Sequence, residues 1–284
     1  MRKIFFTLLV MSFFSGEVFA TTYKLFVHGR SSDNHCDAVT SSFNSINYDK
    51  GGYWGGDTNG VANARYVGFD GTQSGGAYSW NNCGAQRQLH NAMQKFCTGS
   101  NNCEIYTHST GGLVVAAYFG LHNPSGLNIS RIQLMANASG GSELADFSST
   151  YLGWLGFDST GGELDRSVST NGARNGFNHN QSGGRRLYTT SGEGSDYWYV
   201  TSPLLPGYDD GVLANHTLCN INKVADIDKS CPRGTGRITK SYRCGWFWTK
   251  TCYDNYYRWT PYYTVYQGGR SESHSTAKND YNKR

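Results

Sequence analysis

The chain has 284 residues, of which 16% are charged, and a formal net charge of +4. That length is enough for a large buried core, while a charge so small and scattered is too little for nucleic acid and implies no polyanion partner. The abundance of Gly, Tyr, Asn and Ser suits a loop-rich exported protein with an aromatic surface better than a cytosolic one.

At the start of the chain, Arg2 and Lys3 precede an apolar run from Ile4 to Phe14, and Val18 and Ala20 flank Phe19 at the spacing that signal peptidase reads. This predicts a signal peptide over residues 1–20 and a mature chain beginning near Thr21. The apolar run is shorter than the ~20 residues that span a bilayer, and no later stretch is apolar enough to do so. The expectation is an exported protein, periplasmic or extracellular, with residues 21–284 forming one domain. Eight cysteines follow the cleavage site: Cys36, Cys83, Cys97, Cys103, Cys219, Cys231, Cys244 and Cys252. Their even number fits disulfide pairing in an oxidising compartment. Closeness in sequence favours Cys97 with Cys103, Cys219 with Cys231 and Cys244 with Cys252, leaving Cys36 for Cys83. With no CxxC pair, zinc is not indicated.

Tyr23–Val27 is a short β-prone run ending at His28 and Gly29, and Ala64–Phe69 is another ending at Asp70 and Gly71. Ala85, Leu89, Met93 and Phe96 form a helical stripe between Asn82 and Cys97, followed by a strand at Glu104–Tyr106, so this stretch reads as a parallel crossover unit. A helix near Gly111–Leu121, a strand at Ile132–Met135, a short helix near Glu143–Phe147 and a strand at Arg186–Thr190 continue the alternation. The class is therefore α/β, with a mostly parallel central sheet flanked by helices. Two stretches interrupt it. Residues 148–184 are rich in Gly, Ser and Asn, carry Tyr151, Leu152, Trp154, Leu155 and Phe157 near their start, and read as a cap or lid insertion. Residues 217–260 hold four cysteines with Trp246, Phe247, Trp248 and Trp259, and read as a disulfide-stapled excursion.

The segment Cys103–Gly120 carries the chemistry. A strand (Glu104, Ile105, Tyr106, Thr107) runs into a tight turn (His108, Ser109, Thr110, Gly111, Gly112) and then an apolar helix (Leu113–Phe119). This is the order a nucleophile elbow requires: the serine takes strained backbone angles, and the glycines let helix and strand approach. Ser159, Thr160, Gly161 and Gly162 repeat the tetrapeptide, but in a polar setting with no strand before them and no apolar helix after them.

Four separated motifs, from Phe26 to Val212, resemble the α/β-hydrolase family and within it the secreted bacterial lipases and esterases. They are Phe26-Val27-His28-Gly29-Arg30, His108–Gly112, Gly140-Gly141-Ser142-Glu143-Leu144-Ala145-Asp146, and Leu205-Pro206-Gly207-Tyr208-Asp209-Asp210-Gly211-Val212. Thr107 departs from the pattern, since the commonest family motif has Gly two residues before the nucleophile. The resemblance implies an α/β-hydrolase fold with Ser109 as nucleophile and the backbone N–H groups of Arg30 and Thr110 as an oxyanion hole. Asp210 is the acid by alignment of its Asp-Gly-Val triplet, with neighbouring Asp209 as the alternative and Glu193 further off. The family's chain order puts the base after the acid, leaving His216 and His274. A position in the loop after the β-prone run Tyr262–Tyr266 favours His274. His28 is given no catalytic role. Asp209 and Asp210 fall short of the six to eight oxygens calcium takes, and the chemistry needs no metal or cofactor.

The function expected is a secreted serine hydrolase of carboxylic esters, lipase- or esterase-like, working through an acyl-enzyme. Its partner would be an acyl ester or lipid, with transient contact between the aromatic cap and a lipid surface. A serine peptidase or amidase would use the same triad on the same fold. A non-catalytic binding or adhesion protein that kept the scaffold is the third reading.

Overall fold

Alternation along one short strand sets the two sides of the molecule. In a computed structural model, which describes residues 20–31, 53–54, 58–147, 162–179, 181–190, 192, 194, 200–218, 237–257 and 272–282, strand β1 spans Thr22–Val27. Its Leu25 and Val27 face one core cluster and its Phe26 the other, as the two-residue period of a strand requires. Strands β2 (Ala64–Val67), β3 (Asn102–His108), β4 (Ile129–Met135) and β5 (Tyr188–Thr190) join it in a parallel sheet of order β2-β1-β3-β4-β5. Phe26 pairs in register with Tyr66 and Tyr106 and stacks on both, at centroid distances of 5.6 and 5.4 Å. An aromatic row thus lines one face. Met135, Trp54 and the 3-10 helix Ala277–Asn282, through Tyr281, complete that side.

The other face is covered by helices. Helix α1 (Ala85–Phe96) buries Ala85, Leu89, Ala92, Met93 and Phe96, the stripe expected from its periodicity. Helix α2 (Thr110–His122) is buried all round from Thr110 to Gly120, as a helix without a polar face must be. The Cys97–Cys103 disulfide ties the end of α1 to β3, and Cys244–Cys252 is also formed, both as expected. Cys83 is disulfide-bonded as well; Cys36, Cys219 and Cys231 lie outside the described residues.

Also outside the described residues are nearly all of the expected signal peptide, the aromatic half of the cap with Trp154 and Phe157, the second Ser-Thr-Gly-Gly copy apart from Gly162, Glu193, Trp259 and the run Tyr262–Tyr266. The described part of 148–184 packs onto the body of the fold. Helices α4 (Glu163–Val168) and α5 (Thr170–Asn175), which follow the one-turn helix α3 (Glu143–Asp146), place Leu164, Val168 and Ala173 in the main core. Their backbone ties run to the body of the fold, from Ser142 N–H to the Val168 carbonyl and from Leu164 N–H to that of Gln73. Four residues separate Leu164 from Val168, one helical turn, so a short apolar stripe suffices to dock an otherwise polar segment. Within 217–260 the described part is helix α6 (Asn215–Leu218, which begins just before it) and an antiparallel hairpin of β6 (Arg237–Cys244) and β7 (Lys250–Tyr257). Among the described residues no helix is long and apolar enough to cross a membrane.

Candidate active site

Parallel strands send their C-terminal ends to one edge of the sheet, where the loops that follow them meet. Ser109 sits there, between β3 and α2, with φ 56° and ψ −128°. A left-handed φ costs a residue with a side chain on the order of 1–3 kcal/mol, so the turn must be held from outside. The Ser109 N–H donates to the Met135 carbonyl at 3.0 Å, and the Ser109 carbonyl accepts from Gly112 at 2.9 Å and Ala138 at 3.3 Å. Close approach does the rest. A Cβ on Gly111 would lie 2.4 Å from the Val27 carbonyl oxygen, and one on Gly29 2.6 Å from the Ser109 Cβ. Only residues without a side chain let the β1 loop and the start of α2 come this near.

The Ser109 hydroxyl lies 2.9 Å from Nε2 of His274, and Nδ1 of His274 lies 2.9 Å from Oδ2 of Asp210. The carboxylate fixes the tautomer: Nδ1–H donates to it, which leaves Nε2 to accept from the hydroxyl. Asp210 is fully buried and His274 only 15% exposed. The other carboxylate oxygen of Asp210 accepts from the backbone N–H groups of Val212 (3.0 Å) and Leu213 (2.8 Å), so its charge is balanced by fixed donors. Asp209 points elsewhere, accepting from Ser202 Oγ and the Gly211 N–H. Burial raises its pKa.

His274 is held by its main chain too. Its N–H donates to the Asp210 carbonyl at 2.7 Å, and its own carbonyl accepts from Nε2 of His108 at 2.7 Å. The Tyr53 hydroxyl donates to Nδ1 of His108. A carbonyl can only accept, so Nε2 of His108 carries the proton and Nδ1 receives the phenol's. Burial, then the neighbouring His274 and Lys278, push the His108 pKa well below the ordinary histidine value, which keeps the ring neutral and its two roles distinct. His108 and Tyr53 were not singled out from sequence. The adjacency of His108 to Ser109 was the available signal, and nothing in the sequence links Tyr53 to it.

His216 is not beside Ser109. It lies on α6 with Nε2 2.8 Å from Oε1 of Glu143, an oxygen that also receives Nη2 of Arg174 at 3.2 Å. Burial would raise the Glu143 pKa, but the hydrogen bond and charge of His216, helped by Arg174, hold it below the usual carboxylate range. This cluster ties α3, α5 and α6 together. His28 bridges the ends of β1 and β2: the Phe69 N–H donates to its Nε2 at 3.2 Å, and its Nδ1–H donates to the Gly29 carbonyl at 2.7 Å.

Two backbone groups lie next to Ser109 or to the residue packed against it. Thr110 is the first residue of α2, so its N–H has no partner within the helix. Arg30 follows Gly29, the residue packed against Ser109. A hydroxyl aligned on an imidazole with a carboxylate behind it, at the N-terminus of a helix, is an arrangement that can perform acyl transfer. Among the described residues no group of three or more His, Cys, Asp or Glu side chains is arranged to hold a metal.

Among solved structures, the chain is similar to the lipase BlEst2 of Bacillus licheniformis. The mature form aligns with a TM-score of 0.54 at 12% identity, covering 92% of this chain and 87% of that one. The propeptide form aligns with a TM-score of 0.53 at 14% identity, covering 93% of this chain and 48% of that one. No family profile and no curated protein matches the sequence. The likeness is one of fold, and the fold, a mostly parallel sheet between helices, is that of the α/β-hydrolases.

Proposed function

We propose that this chain, an α/β-hydrolase in fold that resembles bacterial lipases, hydrolyses carboxylic esters, with Ser109 as nucleophile, His274 as general base and Asp210 as the acid that orients it. The observation that carries the reading is the unbroken hydrogen-bonded line from Ser109 Oγ through His274 to Asp210 at a strained strand-to-helix turn. In the reaction, His274 Nε2 takes the hydroxyl proton as Ser109 Oγ attacks the ester carbon. Asp210 steadies the imidazolium, and the N–H groups of Arg30 and Thr110 hold the oxyanion. His274 returns the proton to the leaving alcohol. Water, deprotonated by the same ring, then cleaves the acyl-enzyme and regenerates the serine.

Esters and lipids are preferred as substrates because the proteins similar in fold are described as lipases. Disulfides support an exported protein working in an oxidising compartment. The test is labelling by a fluorophosphonate, together with release of nitrophenol from acyl esters of graded chain length and, in parallel, cleavage of peptide anilides. Labelling and ester hydrolysis should both vanish in Ser109→Ala. Anilide cleavage faster than ester cleavage would move the reading to a peptidase, and an unlabelled protein would leave only the scaffold.

A further inference from the structure

The hairpin β6–β7 ends in Gly245-Trp246-Phe247-Trp248-Thr249, and its three aromatic side chains are 87%, 82% and 72% exposed. Large apolar side chains cost free energy in water, and isolated ones are common on any surface, but three in succession at a hairpin turn are not. Elsewhere among the described residues the exposed large apolar side chains, Trp80, Leu121, Phe147, Val200 and Tyr208, occur singly. Backbone conformation adds a second observation. Phe247 and Trp248 both take left-handed angles, φ 59° and 58°, which residues with side chains adopt at a cost. Packing does not offset that cost, because both rings face solvent. The turn is bracketed by the Cys244–Cys252 disulfide, which staples the two strands directly below the tip.

Charge says what the tip meets. Arg243 and Lys250, both exposed, flank the turn on its two strands, and residues 237–257 carry four basic residues against one acidic, Asp254. An excess of three cations in 21 residues is a large share of a chain whose formal charge is only +4. The scattered charge read from the sequence as a whole hides this concentration. Tyr253, on β7 below the tip, is 64% exposed. Apolar rings at the apex with cations immediately behind them reproduce in order the layers of an anionic membrane, acyl chains first and then headgroups. Tryptophan in particular favours the boundary between the two. The combination of apolar insertion with cations supplies the two signals that membrane attachment needs.

We propose that the β6–β7 tip is a membrane-docking device that inserts Trp246, Phe247 and Trp248 into the interface of an anionic phospholipid bilayer, with Arg243 and Lys250 on the headgroup phosphates. The inference deepens the lipid-ester reading and rests on it for the purpose of the contact, but the contact itself is independent of catalysis.

The full chain is made as Ser109→Ala, so that lipid is not consumed, and sedimented with sucrose-loaded vesicles. One set is of phosphatidylcholine alone and the other of phosphatidylcholine and phosphatidylglycerol in equal parts. Binding to the anionic vesicles should be at least tenfold tighter than to the neutral ones and should weaken with salt. W246S/F247S/W248S should weaken it at least tenfold, and R243E/K250E should weaken it about tenfold on anionic vesicles only. Without any substitution at the tip, brominated phosphatidylglycerol should quench tryptophan fluorescence, so the result does not depend on a triple variant keeping its fold. Unfolding midpoints identify any variant that has lost it. Absence of binding to anionic vesicles, unaltered binding by both tip variants, or a dimer of the parent that the tip variants dissolve would each overturn the proposal. Fluorophosphonate labelling of the wild-type chain separates the two readings. A protein that labels but ignores vesicles loses the docking device alone, and one that binds vesicles through the tip but never labels loses the esterase reading alone.

Discussion

His108 holds His274 through its main chain: the Nε2–H of the residue before Ser109 donates to the His274 carbonyl at 2.7 Å, while the Tyr53 hydroxyl fixes the tautomer from the other side. The loop bearing the proposed base is therefore moored to the same strand end that presents the proposed nucleophile. The separation between Ser109 Oγ and His274 Nε2 depends on this mooring as well as on Asp210. His108 is then a positioning residue, and small displacements of a reacting pair cost up to about 100-fold in rate.

His108→Phe, which keeps an aromatic ring but removes both hydrogen bonds, should lower kcat on a soluble nitrophenyl ester by about 10- to 100-fold with KM little changed. His108→Gln, whose amide can still donate to the His274 carbonyl, should recover part of the loss. Tyr53→Phe should act in the same direction and more weakly. A Phe variant with wild-type kcat would show that the mooring does not matter to the reaction.

The two adjacent carboxylates should separate cleanly. Asp210→Asn removes the acceptor of the His274 Nδ1–H and should lower kcat by about 10³- to 10⁴-fold. Among the described residues the Asp209 carboxylate accepts from Ser202 and the Gly211 N–H, and Asp209→Asn should leave kcat within a few-fold. Equal losses in the two variants would mean that the acid has been assigned to the wrong residue.

What could be read without coordinates follows the range of the interactions involved. The strand, elbow and helix from Asn102 to His122 are legible because each signal is local: a β-prone run, two glycines, then a helix apolar on every side. The stripe of α1 is legible for the same reason. Asp210 and His274 could be named only through family resemblance and chain order, since 64 residues separate them and their meeting depends on the loops at the sheet edge. His108 and Tyr53, 55 residues apart, leave no periodic trace at all. The helices α4 and α5 were hidden by composition, because Leu164, Val168 and Ala173 are few among Gly, Ser and Asn. The β6–β7 hairpin was hidden by its cysteines, which mark a stapled excursion but carry no trace of the regular antiparallel register in which the backbone pairs.

Glu143, His216 and Arg174 should prove structural. Glu143→Gln weakens two charge-assisted contacts at a partly accessible carboxylate, for which about 1–3 kcal/mol of stability is the expected loss. Chemical denaturation should show this as a lower midpoint with an unchanged slope, while the extent of fluorophosphonate labelling at 20–25 °C stays near wild type. Loss of labelling in a variant that remains folded would instead connect this cluster to the proposed site.

Acid should destabilise the protein through its buried histidines, and His179 makes the point measurable. Its Nε2–H donates to the Ala173 carbonyl at 2.9 Å, and burial lowers its pKa from 6.5 to about 4. Above pH 6.5 the ring is neutral in both folded and unfolded chains, so the stability contributed by burying it neutral is fully present. As the pH falls from 6.5 towards 4 the unfolded chain takes up a proton that the folded chain refuses. Stability is then lost at up to about 1.4 kcal/mol per pH unit, on the order of 3 kcal/mol across the interval. His108, lowered in the same direction by burial, adds to the slope. For a chain of this size the His179 share corresponds to a drop in melting temperature of roughly 5–10 °C. His179→Asn keeps a donor and cannot titrate, so melting curves taken at pH 7, 6, 5 and 4 should show the variant falling less steeply than the wild type. Parallel curves would mean that the ring is protonated in the folded protein over this range and that its burial carries no acid sensitivity.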